Sequence, residues 1–249
     1  MDSKIRFSNR VENYIKYRPS YPSDAIDFII NQFDLTHATI IADIGSGTGI
    51  LTQLLEKYCS KIYAVEPNTE MRNAAESILK DSSSFISING SSESTNLAKN
   101  SIDLITVAQA FHWFDINKTK IEFKRILKTN GKVLLVWNNR LANTDFLIEY
   151  EAILKKYAND YNEVNHRNIT METLESFFSN GISKKTFHNV QKFDFESLMG
   201  RLLSSSYAPM PGEINYLIIK SKLEELFNIH NKKGFVDFNY ETALYWGSM

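Results

Sequence analysis

The most chemically suggestive run in the chain is Asp43-Ile44-Gly45-Ser46-Gly47-Thr48-Gly49. Glycines spaced in this way let a backbone turn tightly and let a ligand approach where a Cβ would clash. The residues that follow argue against one kind of nucleotide loop and exclude another. A dinucleotide fingerprint, G-x-G-x-x-G, needs its third glycine at position 50 or 52, where Ile50 and Thr52 stand. A phosphate-cradling Walker loop needs a lysine after its last glycine, and none follows. Asp43 adds a negative charge that a pyrophosphate resists and a cationic amino group favours. Glu66 comes ~20 residues later, where a carboxylate can accept hydrogen bonds from both hydroxyls of a ribose. A simpler role for it is to cap a helix that begins near Asn68.

S-adenosylmethionine, which carries an ammonium, a sulfonium and no phosphate, suits such a loop. The ribose contact by itself does not separate it from NAD. Either ligand requires strand ends to converge on one edge, and the sequence supplies the strands. Ser23-Asp24 starts a helix with Ile26, Ile29, Ile30 and Phe33 on one face. Thr39 to Ile44 is short, β-branched and nearly all apolar, as a strand buried on both faces must be. Leu51, Leu54, Leu55 and Tyr58 mark the next helix. The cycle repeats with strands at Lys61–Glu66, Phe85–Asn89, Ile102–Ala108 and Lys132–Trp137, and a helix bearing Met71, Ala74, Ala75, Ile78 and Leu79. A further helix is expected to end before Gly131 as its C-cap.

Alternation of strand and helix predicts an α/β, doubly wound Rossmann-like sheet. About seven strands are expected, mostly parallel, with one antiparallel strand near the C-terminus. Residues 1–140 would form the ligand-binding core. Residues 141–249 would form a helical lid, from Phe146–Tyr161, Met171–Phe178, Glu196–Ser204 and Ile214–His230. Two late strands, Lys184–Phe193 and Gly234–Trp246, would complete the same sheet.

Lys plus Arg total 28 against 29 Asp plus Glu, a net charge of −1. This lacks the basic excess of most nucleic-acid binders, and no nucleic-acid partner is expected. Cys59 is the sole cysteine, so neither a disulfide framework nor a cysteine-built metal site can form within the chain. His37, His166, His188 and His230 lack ligand spacing, and no metal is expected. The opening MDSKIRFSNR has no signal-peptide core, and no run approaches the ~18 apolar residues of a membrane helix. A cytoplasmic location is expected.

Ile41-Ala42-Asp43-Ile44-Gly45-Ser46-Gly47-Thr48-Gly49 resembles the first motif of class I S-adenosylmethionine-dependent methyltransferases, and Val65-Glu66-Pro67-Asn68 resembles their second. A narrower group is indicated by Tyr14-x-x-x-Arg18-Pro19-x-Tyr21-Pro22 and by Ala108-Gln109-Ala110-Phe111-His112-Trp113-Phe114-Asp115. These resemble the methyltransferase type 11 set, which includes trans-aconitate methyltransferase-like small-molecule enzymes. Ser204-Ser205-Ser206-Tyr207-Ala208-Pro209 and Tyr240-Glu241-Thr242 are similar to that group too.

The resemblance implies roles. Gly45, Ser46 and Gly47 would line the methionine part of S-adenosylmethionine, with Asp43 near its amino group, directly or through water. Glu66 would hold the ribose; Pro67 and Met71 would pack on the adenine, although Met71 serves core packing equally well. Gly90-Ser91-Ser92-Glu93 matches a third, adenine-binding stretch, in which many relatives carry Asp at the place of Ser91. Ser92 and Glu93 remain candidates there, and Gln109 a further cofactor contact. Tyr14 and Arg18 are candidates for the cofactor's carboxylate, since an arginine fork binds a carboxylate through two parallel hydrogen bonds.

Methyl transfer is an in-line displacement, with the acceptor ~3 Å from the methyl carbon and water excluded. Phe111, Trp113 and Phe114 are expected as aromatic walls, facing the sulfonium favourably. His112 and Trp113 are the catalytic candidates; His112 would act as a base for a hydroxyl acceptor, or only orient a carboxylate. Ser205 and Tyr207 are candidate acceptor contacts. The expected activity is methylation of a small molecule, more readily at oxygen than elsewhere. Two alternatives stay open at this point: an NAD-dependent oxidoreductase, and a catalytically inactive S-adenosylmethionine-binding protein.

Overall fold

The computed structural model describes residues 10–161, 169–179 and 181–249. Alternation along the strands decides the layering. In β1 (Ile40–Ile44), β2 (Lys61–Val65), β4 (Ile102–Ala108) and β5 (Leu127–Arg140), successive side chains go to opposite faces. Ile41, Ile62, Leu104 and Leu134 join one apolar cluster with α2 (Ser23–Gln32) and α3 (Ile50–Leu55). Ala42, Ile105, Val133 and Leu135 join another with α5 (Ile116–Ile126) and α7 (Met171–Phe177). Both faces are therefore covered, which is why these strands read as unbroken apolar runs.

The sheet has seven strands in the order β3-β2-β1-β4-β5-β7-β6, with β3 at Phe85–Ile88, β6 at Ser183–Phe193 and β7 at Val236–Gly247. The pairs from β3 through β5 are parallel, while β7 runs antiparallel to both β5 and β6. The sequence progression reverses direction at β1, between β2 and β4, so the crevice of such a sheet lies at the C-terminal ends of β1 and β4. Beyond the parallel part, α6 (Asp145–Tyr157), α8 (Phe195–Leu203) and α9 (Tyr216–His230) bury a third cluster against Phe193, Phe238 and Tyr240. The two late strands thus complete the same sheet, and the late helices gather over its far end.

Two local expectations are corrected. The helix expected to reach Gly131 ends at Ile126, and Leu127 already pairs with Ile102 in the sheet. The register then slips, because Leu104 pairs with Lys132. Gly131 serves that slip by close approach: a Cβ there would lie 2.7 Å from the Leu127 side chain. It is not a helix cap. The helix expected over Phe146–Tyr161 ends at Tyr157, with Ala158 extended. This frees Tyr161 to turn its hydroxyl onto Glu151 at 2.7 Å. His166 and residues 1–9 lie outside the described residues. No described helix is long and apolar enough to cross a membrane.

Candidate functional site

The glycine loop leaves β1 in a conformation that side chains resist. Gly45 has φ +69° and Gly47 φ +57°, the left-handed region that glycine enters without a Cβ penalty. A Cβ on Gly45 would lie 2.6 Å from the Ala110 Cβ and 3.3 Å from the Phe114 ring. The loop is tied across the sheet, with the amides of Gly45 and Ser46 donating to the Val65 carbonyl at 2.8 and 3.2 Å. Gly47 N–H then donates to Glu66 Oε2 at 2.9 Å, and Asn68 N–H to Oε1 at 2.9 Å. Asn68 in turn caps α4 (Thr69–Ile78) by accepting from Met71 N–H. Glu66 is thus a brace between loop and helix and also a wall of the cleft.

Around it opens a cleft. Its walls include Tyr14, Gly45, Gly47, Glu66, Pro67, Met71, Ser92, Glu93, Gln109, Trp113 and Phe114. These come from α1 (Val11–Tyr17), the glycine loop, the ends of β2 and β4, and the segment after β3. Ser91, Asn68, Ala108 and Ala110 line it as well. Gln109 sits at φ +58° immediately after β4, a costly conformation for a non-glycine residue and one that clusters at functional sites. Burial pushes the Glu66 carboxyl above its ordinary range, even though the two backbone N–H groups and Arg72 act the other way. Glu93 is held below its ordinary range. Burial opposes this, and hydrogen bonds from Ser91, the Asp115 amide and Ser92 outweigh it.

A narrower recess adjoins the cleft beside Tyr14, Arg18, Gly45, Ser46 and Gln109. Arg18 stacks over the Tyr14 ring at 4.8 Å and donates through Nη2 to the Ser204 carbonyl at 3.0 Å. Its Nε and the Ser46 hydroxyl are both buried with no hydrogen-bond partner among the described residues. Unsatisfied buried polar atoms of this kind are rare and point to a missing ligand.

Some expected contacts fall elsewhere. Asp43 does not face the cleft: it is 1% exposed, and its oxygens accept from the hydroxyls of Thr52 at 2.6 Å and Thr106 at 2.8 Å. Thr106 is its register partner on β4, so the strand pairing itself seals the carboxylate beneath the loop. Phe111 is core rather than wall. It is 1% exposed and packs edge-on against Phe177, because the single 3₁₀ turn Phe111–Trp113 points its first ring inward. His112 does not line the cleft; its ring lies against Trp113 at 4.9 Å. Ser205 and Tyr207 lie together, away from the cleft wall, among residues the sequence did not single out. Arg201 donates to Ser205 Oγ at 2.8 Å and to the Tyr240 hydroxyl at 3.1 Å. Arg140 pairs with Glu151 and donates to Tyr161 at 2.9 Å. A signal for Arg201 was present: it interrupts the apolar run Leu198-Met199-Gly200-Arg201-Leu202-Leu203.

This chain is similar to known proteins. Residues 42–135 match a family model described as a methyltransferase domain, of type 11. An uncharacterized methyltransferase of Mycobacterium tuberculosis is 35% identical over 139 residues, which cover 56% of this chain and 54% of that protein. The match therefore spans about half that relative's length. An uncharacterized methyltransferase of Schizosaccharomyces pombe is 25% identical over 249 residues, 96% of this chain and 95% of the relative. The crystal structure of the YcgJ protein of Bacillus subtilis superposes with a TM-score of 0.61 at 20% identity, over 92% of this chain and all of that one. That likeness is one of fold.

Proposed function

The core of this chain, residues 42–135, is a methyltransferase domain of the class I, type 11 group, and from that premise we propose that the protein methylates a small molecule at oxygen, using S-adenosylmethionine. The observation that carries the reading is the braced Glu66 carboxylate beside a glycine loop with no phosphate-binding lysine. Such a loop holds an adenosyl group by its ribose and offers little to a pyrophosphate.

The residues fit S-adenosylmethionine part by part. Glu66 has lone pairs left on both oxygens for the ribose hydroxyls. Pro67 and Met71 form an apolar shelf for a base, beside Ser92 and Glu93. The unsatisfied Arg18 Nε and Ser46 hydroxyl meet at the recess where an amino-acid carboxylate would sit. Asp43 acts from under the loop, through the field it adds, rather than by contact. When bound, S-adenosylmethionine supplies a methyl group on a positive sulfur: an acceptor oxygen's lone pair forms the new bond to carbon, and the pair of the broken carbon–sulfur bond stays on sulfur.

Trp113 and Phe114 wall the cleft against water, and Gln109 and Tyr14 narrow it from the other sides. This is positioning chemistry, in which orientation supplies much of the rate. A carboxylate acceptor needs no base, which agrees with a cleft that His112 does not line. The helices beyond residue 140 would serve as the acceptor's lid. Calorimetry with S-adenosylhomocysteine, S-adenosylmethionine and NADH in parallel tests the reading. Heat with the first two and none with NADH is expected, and binding of NADH alone would overturn it.

A further inference from the structure

The sheet ends at β6, an edge strand left open. It lies outside β7 and runs for 11 residues, about twice the usual strand length. All of Ser183–Phe193 pairs with β7 in continuous register, without a bulge. On its other side the strand makes no backbone hydrogen bond with any described residue. Natural edges are blunted by shortness, proline, bulges or lysines. β6 lacks the first three and keeps only the last, as Lys184, Lys185 and Lys192.

Ser183–Phe193 contains no acidic residue. The Lys184 ammonium lies 5.3 Å from the centre of the Tyr245 ring, and that of Lys185 4.2 Å from Phe28. Asp237 and Glu241 on β7 stand in register with Lys192 and His188. Among the described residues, however, no carboxylate forms an ion pair with any of the three lysines. Side chains alternate along a strand, so Lys184, Thr186, His188, Val190 and Lys192 share one face. All five are exposed. That face is basic at both ends, with the β-branched Thr186 and Val190 between.

Open N–H and C=O groups invite another strand, and the lysines decide which. A second copy is disfavoured. A two-fold centred on His188 sets Lys184 opposite Lys192 at both ends, and like charges directly opposite destabilise a pair. A nucleic acid would use the lysines but leave the backbone groups of the edge unmet. An acidic strand meets both needs, turning the same lysines into cross-strand ion pairs. We propose that β6 is a docking edge for an extended acidic segment of a partner protein, which adds an eighth strand to the sheet. Its carboxylates face Lys184 and Lys192, and its β-branched side chains face Thr186 and Val190. The site goes beyond the methyl-transfer reading and does not rest on it. It is nonetheless joined to the cleft wall. Asn189 donates to the Ser20 carbonyl at 2.8 Å and Gln191 to the Tyr17 carbonyl at 3.4 Å, next to the segment that carries Tyr14 and Arg18.

The test combines calorimetry and amide hydrogen exchange on the full chain, with a synthetic peptide as long as β6 that alternates glutamate and valine. Binding should slow exchange across Ser183–Phe193 and leave β3, at the opposite edge of the sheet, unchanged. A peptide alternating lysine and valine should not bind. Nor should the glutamate peptide N-methylated at all its backbone nitrogens, which has lost its donors to the edge. Lys184→Glu with Lys192→Glu should weaken the glutamate peptide about tenfold and take up the lysine peptide instead. Both side chains are exposed, so this variant should melt as the wild type does. Unchanged exchange on β6, equal affinity for the N-methylated or the lysine peptide, or undiminished glutamate-peptide affinity in the variant would overturn the proposal. So would concentration-dependent protection of β6 without peptide, which assigns the edge to a second copy. Failure of the methyl-transfer reading is distinguishable, since it appears as no heat with S-adenosylhomocysteine and leaves the peptide results untouched.

Discussion

Replacing Glu66 by glutamine separates its two duties, bracing the loop and binding a ribose. In the wild type each carboxylate oxygen accepts one backbone N–H, from Gly47 and from Asn68, both at 2.9 Å. A glutamine side chain keeps one acceptor and turns an NH₂ towards the other N–H. A donor then faces a donor. The cleft is open to water, so the cost falls at the low end for an unmet donor, about 1–2 kcal/mol. For a chain of this size that lowers Tm by about 2–8 °C. The ligand loses more. Two hydrogen bonds from ribose hydroxyls to an ionised acceptor contribute at least about 3 kcal/mol together, or about 150-fold in Kd. Calorimetry with S-adenosylhomocysteine on Glu66→Gln and Glu66→Ala measures this, with circular dichroism melts alongside. Both variants should lose affinity to a similar degree, because neither presents two acceptors. A glutamine variant that binds within about threefold of wild type would refute the argument, since shape without charge would then suffice.

Acidification offers a second test of the same residue. Burial raises the Glu66 carboxyl above its ordinary range, so its ionised form is lost as pH falls through that raised value, and cofactor affinity should fall there, seen as a pH-dependent Kd. The stability of the unliganded chain has the opposite sign at this site: the contribution of Glu66 is present below the ordinary carboxyl range and disappears as pH rises through the raised value. Gly45→Ala places a Cβ 2.6 Å from Ala110 at φ +69°, which should cost about 2–4 kcal/mol and remove cofactor binding, read by melts and calorimetry. Gly200→Ala would set a Cβ 2.0 Å from the Tyr17 ring; pushing α1 off α8 moves Tyr14 and Arg18, so cofactor Kd should rise at least about tenfold while the β-sheet signal in circular dichroism persists. Glu151→Gln leaves Arg140 buried without its counter-charge, a loss of about 3–5 kcal/mol visible in denaturant unfolding.

Much of the architecture is legible because its determinants are local. Nearly continuous apolar runs in Ile40–Ile44 and Ile102–Ala108 specify strands with two buried faces whatever they pack against. Positive φ at Gly45 and Gly47 follows from sterics at a tight turn, and Glu66 from its distance along the chain to that turn. Errors arose where a local signal competed with a distant partner. Gly131 has a cap-like position, yet the pairing of Leu127 with Ile102 ended the helix earlier. Phe111, His112, Trp113 and Phe114 are consecutive, and only the closing of the 3₁₀ turn against Phe177 sends the first into the core and the last two to the cleft.

By itself the sequence determined the α/β class, the strand–glycine loop–helix unit, and the acidic residue that closes the neighbouring strand. Each depends on side-chain periodicity or on the backbone freedom of a few adjacent residues. Only the tertiary structure decided that Asp43 lies sealed beneath the loop between Thr52 and Thr106, and that Arg18 and Arg201 meet around Ser204. Those outcomes depend on which distant groups compensate a buried charge. Chain order carries no record of that, because compensation is settled by through-space distances after the sheet and its late helices have packed.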